Sequence, residues 1–411
     1  MSADEIISTL HSLRLDISEE EIKQLILNRD KYYELYPDVK KAGLCAVDHF
    51  FRHGEAEGRA WCFPELSFSE KYSRKVDGKK TIYTTLPTNS GSFIYRGLFS
   101  KDNDKESLVL NYEANTAEIL TGIFRAKDVI LLRPNNNEKM QYLIKLCRQL
   151  GVRLSIDLDD LLLPEYIDNL GEIRSHTINK KQTFEQLTKD SALILAADEL
   201  ICSTQKIAEL HNGLAEKITV SKNRLPKHFF NKKKVILKSI LKNRKNKIKL
   251  LYLSGSPSHK KDFSLISGVL LRLAQEIPSK FSISFFGKLH DHSVIFNTLG
   301  CESNFIPLHD FDNMLKTIRE HDLVLVPLES TIFNEAKSNI KFIEAASQGV
   351  PVIASATSEY CSCIQDGING WLCKSEEEWY DKLSFIISTP SVIYKVGLSA
   401  HETALKEFSI Q

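Results

Sequence analysis

The sequence predicts an α/β protein made of two doubly wound, Rossmann-like parallel-sheet domains preceded by a small helical extension. Three observations lead there. The chain has 411 residues, enough for two or three domains at roughly 150 residues each. Its hydrophobic content of 42% and charged content of 26% are those of a globular protein with sizeable cores. From about Thr81 onward, short apolar strands alternate with amphipathic helical stretches, which is the pattern of βαβ units.

The extension, residues 1–75, reads as helical and separate. Ser18 and Glu21 form a capping box ahead of the apolar stripe Ile22, Leu25 and Ile26. Pro37 interrupts, and Asp48–Gly54 reads as a short helix stopped by glycine. His49 and His53 are four apart, but no further ligands cluster nearby, so packing is favoured over a metal.

Residues 76–230 form the first sheet domain. Asp128–Arg133 is a short apolar strand before Pro134, and Asn137 caps a helix carrying Met140, Leu143, Ile144, Cys147 and Leu150 at helical spacing. Gly151 ends that helix, and the strands Val152–Asp157, Asp198–Ser203 and Lys217–Ser221 follow. A basic linker, 231–249, leads to the second sheet domain, 250–390. Its strands are expected at Leu250–Ser254, Phe281–Phe286, Asn304–Leu308, Asp322–Pro327, Pro351–Ser355 and Gly370–Cys373. Helices are expected near 262–276, 310–319, 338–348 and 376–388, the last capped by Ser375 with Glu378. Residues 391–411 read as a closing helix that packs back on the first sheet domain. Two open sheets in one chain predict an interdomain cleft with ligands at the strands' carboxyl edges.

Charge and cysteine usage narrow the function classes. The 54 Lys+Arg and 53 Asp+Glu sum to +1, which excludes a uniformly basic nucleic-acid coat. Residues 227–249 hold ten Lys or Arg and no Asp or Glu, so the remainder has 44 bases against 53 acids, or −9. The neutrality is therefore a cancellation. Such a segment suits anionic lipid at about 1 kcal/mol per basic residue near the surface, or a solvated linker. No apolar run approaches the ~20 residues that span a bilayer. The first residues lack the cationic and apolar regions of a secretory signal. The expected address is cytoplasmic, with peripheral attachment to the inner face of the plasma membrane. The eight cysteines include no CxxC pair and read as reduced and structural. No Walker loop, GxSxG or HExxH is present.

The segment richest in chemistry is Lys337–Ser355. On a continuous helix, Lys337, Lys341 and Glu344 would lie within roughly 60° of one another, opposite Phe342, Ile343 and Ala346. Two lysines at a helix start attract phosphate, and Glu344 one turn deeper can accept vicinal hydroxyls. The plain alternative is a surface face with two ion pairs.

Context favours the first reading. This block, continued by Ile364-Gln-Asp-Gly-Ile-Asn-Gly-Trp-Leu372, resembles the donor-binding signature of the group 1, family-4-like glycosyltransferases of GT-B architecture. Leu253–Asp262 resembles that family's loop after the first strand of the second domain. Phe285-Phe-Gly287 and Phe305–Leu308 resemble the strand ends flanking the nucleobase, and Thr88–Arg96 the glycine-bearing loop of the first domain. Ile156–Leu161 and Ala197–Thr204 also look like segments of polysaccharide-assembly enzymes. The likeness spans about 80 to 400.

The resemblance implies a UDP- or GDP-sugar as substrate, no cofactor or metal, and a glycan or lipid-linked acceptor in surface-polysaccharide synthesis, with retention. Donor-binding residues would be Gly255, Ser256, Lys261, Gly287, Leu308, Lys337, Ser338, Lys341 and Glu344. Lys261, Lys337, Glu335 and Asp160 would be catalytic, and Gly91, Ser92, Arg96 and Asp157 would face the acceptor. Arg96 has the alternative of pairing with an acid of its own domain.

Two departures stand out. The family's first glutamate would fall on Ala336, with Glu335 adjacent. The histidine common in its first domain has no counterpart; Asp157, Asp159 and Asp160 cluster at the comparable strand end. A non-catalytic GT-B subunit and a metal-dependent enzyme using Asp157-x-Asp159 are the alternatives. The extension resembles a short Tyr-Pro-Asp-Val…His-Phe…His-Gly module of bacterial glycan enzymes and suggests an interaction role.

Overall fold

The computed structural model describes residues 3–13, 17–66, 79–100, 107–233, 235–237, 247–255, 259–289 and 292–410. They form two compact units. The first comprises Met1–Leu158, Gln186–Cys202 and His211–Thr219; the second comprises Asp159–Glu185, Ser203–Leu210 and Val220–Gln411.

The first unit is a six-stranded, all-parallel sheet of order β2-β1-β3-β4-β5-β6. Its strands are β1 (Lys79–Thr84), β2 (Leu108–Leu110), β3 (Ala126–Leu132), β4 (Arg153–Leu158), β5 (Glu199–Cys202) and β6 (Ile218–Val220). The apolar runs that announced β3 and β4 are there because both faces of a parallel strand are covered: Val129, Leu131, Leu154 and Ile156 are all buried. β1 and β2 were not separately anticipated; β2 has only three residues, too few for a pattern to register.

The helical extension docks on this sheet domain. Ser18 and Glu21 form the expected reciprocal cap, with Ile22, Leu25 and Ile26 buried behind it. Tyr142 donates its hydroxyl to the Leu25 carbonyl at 2.7 Å, and Trp61 and Phe63 pack on the Tyr142 ring at centroid distances of 5.1 and 5.0 Å. Glu55 accepts from both the backbone N–H and the hydroxyl of Thr116, in the first turn of helix Thr116–Arg125. His49 pairs through Nδ1 with the Tyr32 hydroxyl at 3.0 Å. Among the described residues no group of three His, Cys, Asp or Glu is placed to hold a metal. Gly54 is required here, since a Cβ would lie 2.4 Å from that same hydroxyl.

The second unit carries a parallel sheet of order β10-β9-β8-β11-β12-β13. The strands are β8 (Ile248–Ser254), β9 (Phe281–Gly287), β10 (Ser303–Ile306), β11 (Leu323–Val326), β12 (Val352–Ser355) and β13 (Trp371–Cys373). All six match expectation to within a few residues. Between β7 (Leu225–Pro226) and β8 the described linker residues anchor Phe230 and Val235 in the unit's interior. The closing helix Ser391–Glu407 packs on helix Ile340–Ser347, and the following β14 (Ser409–Ile410) pairs with β7. The order reversal in each sheet puts a topological switch point beside its first strand, where open α/β sheets bind ligands.

All eight cysteines are free thiols, six of them buried. Among the described residues no single helix is long and apolar enough to cross a membrane.

Candidate active site

At the carboxyl edge of the second sheet, β8 ends at Ser254 and β11 at Val326, and the segment 327–339 runs between β11 and helix Ile340–Ser347. This segment is held by side chains from distant parts of the sequence. Asp262, buried in the first turn of helix His259–Glu276, accepts through one oxygen from the Glu329 N–H at 3.1 Å and from Asn334 Nδ2 at 2.9 Å. Arg174 pairs with Glu329 at 2.7 Å, and the Thr204 hydroxyl donates to the Ala336 carbonyl at 2.9 Å. Asn223 Nδ2 donates to Ser338 Oγ at 3.0 Å.

The single helical face expected for Lys337, Lys341 and Glu344 is corrected by this bracing. Thr331 caps a short helix, Ile332–Glu335, and the next helix begins only at Ile340, with Asn339 at its N-cap. Lys337 and Ser338 thus lie in the link, because the bonds to Asn334, Ala336 and Ser338 hold a break that helical periodicity does not register. Lys341 and Glu344 remain on the helix, and Gly349 closes it with φ 65°.

The charges of this edge differ in their freedom. Lys337 lies 5.0 Å from the Phe333 ring centroid and makes no ion pair among the described residues. Lys341 donates from Nζ to the Leu253 carbonyl at 3.0 Å, with the Tyr252 ring centroid 5.7 Å away. Although Lys341 as a residue is only half-buried, its ammonium is desolvated, which lowers its pKa to about 8. The charge of Lys337 pushes the same way, while Asp262 and Glu344 oppose it. Glu344 is buried at 6% exposure. Lys341 therefore ties the helix to the end of β8, and Lys337 is the freer cation.

The remaining candidates of this edge occupy varied settings. Lys261 is exposed one turn from the start of its helix. Gly255 is exposed, with open space where a side chain would stand, whereas Ser256 lies outside the described residues. Gly287 has φ 106°, and a Cβ there would fall 1.9 Å from the Ser254 carbonyl, so the close approach of β9 to β8 demands glycine. Leu308, just beyond β10, leaves 46% of its surface exposed. Glu335 accepts from the Ser358 N–H at 3.0 Å and from its hydroxyl at 2.7 Å. The Asp366–Gly370 turn is structural: Asp366 accepts from the Leu372 N–H and Lys382, and Asn369 is buried against the Cys363 carbonyl.

The carboxyl edge of the first sheet is organised differently. Arg96 and Asp157 are each 5% exposed and form a two-point pair, Nε and Nη2 each 2.8 Å from a carboxylate oxygen. The Arg96 guanidinium faces Asp157, the pairing with an acid of its own domain. The same contact engages the Asp157 carboxylate and so counts against an Asp157-x-Asp159 cation site. Gly91 and Ser92 open the helical turn ahead of the π-helical stretch Phe93–Leu98. Ser92 Oγ accepts from Arg133 Nη1 at 3.0 Å. Arg133, directly after β3, adopts φ 45° and was not anticipated; nothing in a lone arginine before proline signals it. Asp160 is half-buried in the stretch 159–185, which belongs to the second unit. Nor were Asp262, Asn334, Thr204 and Asn223 anticipated, because their bonds span 67 to 132 positions of sequence.

Comparison with known proteins agrees with this architecture. Residues 248–389 match the family described as glycosyl transferases group 1. HepE of Anabaena, solved with UDP, superposes with a TM-score of 0.58 at 14% identity, over 81% of this chain and 96% of that one. A glycosyltransferase from Rickettsia africae gives 0.51 at 14% identity, over 81% and 95%. WaaG, a glycosyltransferase involved in lipopolysaccharide biosynthesis, gives 0.52 at 14% identity, over 79% and 95%. At these identities the likenesses show the fold, two Rossmann-like domains of the GT-B type. No curated protein sequence matches significantly. The second sheet domain, residues 248–389, is thus similar in sequence to the group 1 glycosyl transferases, and the described chain carries that similarity on a fold of the GT-B type.

Proposed function

We propose that the donor is a UDP-sugar bound at the carboxyl edge of the second sheet, and that the acceptor is a glycan or lipid-linked glycan of a surface polysaccharide. The observation that carries the donor site is Lys337, without an ion pair among the described residues, beside the Lys341–Glu344 helix and a braced segment after β11. Lys337 and Lys261 would meet the diphosphate, with backbone amides at Gly255 and Ser256. Lys341 and Ser338 hold their elements in place around it, Glu344 takes the ribose, and Gly287 and Leu308 border the base. HepE has been solved with UDP and with UDP-glucose, which favours uridine. WaaG's place in lipopolysaccharide biosynthesis favours the acceptor class.

In the reaction, an acceptor hydroxyl forms a new bond to the anomeric carbon on the face from which the diphosphate departs. The C–O bond to phosphate breaks, the departing phosphate oxygen takes the acceptor proton, and configuration is retained. Lys337 stabilises the leaving charge, and Glu335, next to the family's first acidic position, stands nearest the transferred sugar. Asp160 is assigned to the same step. Gly91, Ser92 and the pair Arg96–Asp157 shape the acceptor edge. Lys337→Ala and Glu344→Ala are each expected to weaken UDP binding about tenfold or more, the worth of a hydrogen bond to a charged group. Calorimetry showing unchanged UDP affinity in both variants refutes the site.

The basic stretch 227–249 would bring the enzyme to anionic lipid. Lys232 and Lys247 pair with Glu402 and Glu302 at 3.0 and 2.7 Å, which ties the stretch to the second unit; residues 234 and 238–246 lie outside the described part. Flotation with phosphatidylserine vesicles at physiological salt should carry the protein upward, and Lys→Gln changes at 238, 242 and 245 should abolish this. Absence of flotation removes the idea.

A further inference from the structure

Arg133, directly after β3, carries a backbone conformation that its own sequence disfavours. Its φ of 45° is left-handed, which crowds a residue bearing a Cβ. The next residue is Pro134, whose ring drives the residue before it toward extended backbone. Among the described non-glycine residues only His176 also has a positive φ. Such a conformation persists only where its surroundings over-determine it, and these places cluster at functional sites.

The surroundings of Arg133 meet that condition. The buried Thr84 hydroxyl, at the end of β1, donates to the Leu132 carbonyl at 3.0 Å. The Arg133 N–H donates to the Asp157 carbonyl of β4, also at 3.0 Å. The peptide between residues 132 and 133 is thus pinned to both neighbouring strands, and Pro134 after it is buried. An extended residue 133 would continue the alternation of β3 and share the face of Val129 and Leu131, both buried. The left-handed turn takes the guanidinium out of that alternation, and Nη1 donates to Ser92 Oγ at 3.0 Å. Ser92 leads into the π-helical stretch Phe93–Leu98, a rare geometry that is frequent at functional sites. Inside that stretch Arg96 holds the Asp157 carboxylate by two points. Two arginines therefore close the loop after β1 and the ends of β3 and β4 into a ring. Arg96 is buried in it, whereas Arg133 is half-buried.

We propose that Arg133 is a positioning residue for the acceptor. Held in its left-handed turn, it fixes the loop 88–96 through Ser92 and so sets the shape of the first sheet's carboxyl edge. The inference rests on the reading that this edge meets the acceptor. The proposed donor residues belong to the second sheet, so donor binding is a separate measure.

The test uses the full chain with two substitutions. Arg133→Gly accepts a φ of 45° without strain and removes the guanidinium, and Ser92→Ala removes the hydroxyl it holds. Both variants should fold with melting temperatures close to that of the wild type. Amide hydrogen exchange over residues 92–98 should quicken about tenfold in each, the worth of a hydrogen bond to a charged group, with the second sheet unchanged. UDP affinity by calorimetry should also be unchanged. UDP release is then followed from UDP-glucose, UDP-galactose and UDP-N-acetylglucosamine, with a detergent extract of bacterial membrane lipids as acceptor. In both variants KM for the extract should rise roughly fivefold to tenfold while kcat changes less. Added methylguanidinium should restore Arg133→Gly toward the wild-type KM and exchange rate, a rescue that a merely structural defect does not allow. Unchanged exchange over 92–98, or quickened exchange with neither a KM change nor rescue, overturns the proposal. So does a parallel loss of UDP affinity. If the wild type turns over none of the three sugars, it is the proposed donor that fails. The exchange readout then decides the positioning role: rescue by methylguanidinium upholds it, and absence of rescue overturns it.

Discussion

The two parallel sheets share a topology but use their carboxyl edges in opposite ways. In the first, the cation and the carboxylate are locked on each other: Arg96 and Asp157 are buried and make two 2.8 Å contacts. In the second, Lys337 has an aromatic neighbour and no ion pair among the described residues, and Lys341 is desolvated to a pKa of about 8. At the first edge Arg96 faces a carboxylate, whereas at the second Lys337 faces an aromatic ring. Counting charged residues near strand ends would rank the two alike. Partner geometry separates them, since a two-point arginine–carboxylate pair satisfies both groups internally whereas a lysine on a braced link can turn to a phosphate.

The largest expected effect breaks the locked side of this contrast. Asp157→Asn takes the charge out of the buried two-point contact to Arg96 and should destabilise the protein by about 3–5 kcal/mol, read as a shifted urea midpoint. Joint replacement, Arg96→Met with Asp157→Leu, should recover most of that loss, because the penalty belongs to the unpaired charge. If Asp157→Asn alone were as stable as the wild type, the buried contact between Arg96 and Asp157 would carry no net stability.

A smaller effect sharpens the other side. A diphosphate favours the charged form of Lys341, so its binding raises that group's pKa from about 8. Affinity for UDP should be level below pH 8, then fall by at most about tenfold per pH unit above it as a proton must be taken up. Lys341→Met should flatten the fall. For folding the sign is reversed. The folded pKa is depressed, so the unfolded chain binds more protons between about 8 and the ordinary lysine value, and Lys341 destabilises less as pH rises through that window. A UDP affinity independent of pH between 7 and 9.5 in the wild type would separate Lys341 from the donor charge. The smallest expected effect is none: if the proposed lysines offset the leaving charge, EDTA should leave turnover unchanged.

Much of this was legible from sequence. The strands of the second sheet were readable because most are short apolar runs, β9 and β11 buried on both faces, with Gly, Pro or Ser at or near their ends. Lys337, Lys341 and Glu344 were readable as a group because they sit within eight positions of one another. Their common helical face was not, since the break before Ile340 depends on Asp262 holding Asn334, Thr204 holding the Ala336 carbonyl and Asn223 holding Ser338. The extension's helices were announced by local signals, the Ser18–Glu21 box above all, but their docking depends on Tyr142 reaching Leu25, 117 positions away.

The same division runs through the charge balance. Sequence alone determined two sheet domains, a cationic stretch set against an acidic remainder, and a lysine–glutamate block beside a glycine-closed helix, because alternation, spacing and composition act over a few residues at a time. Only tertiary structure decided which of those charges are available. It buried Arg96 on Asp157, left Lys337 without a counter-ion among the described residues, and lowered the proton affinity of Lys341. Pairing and desolvation are set by neighbours in space, and those neighbours come from parts of the chain that no local pattern joins.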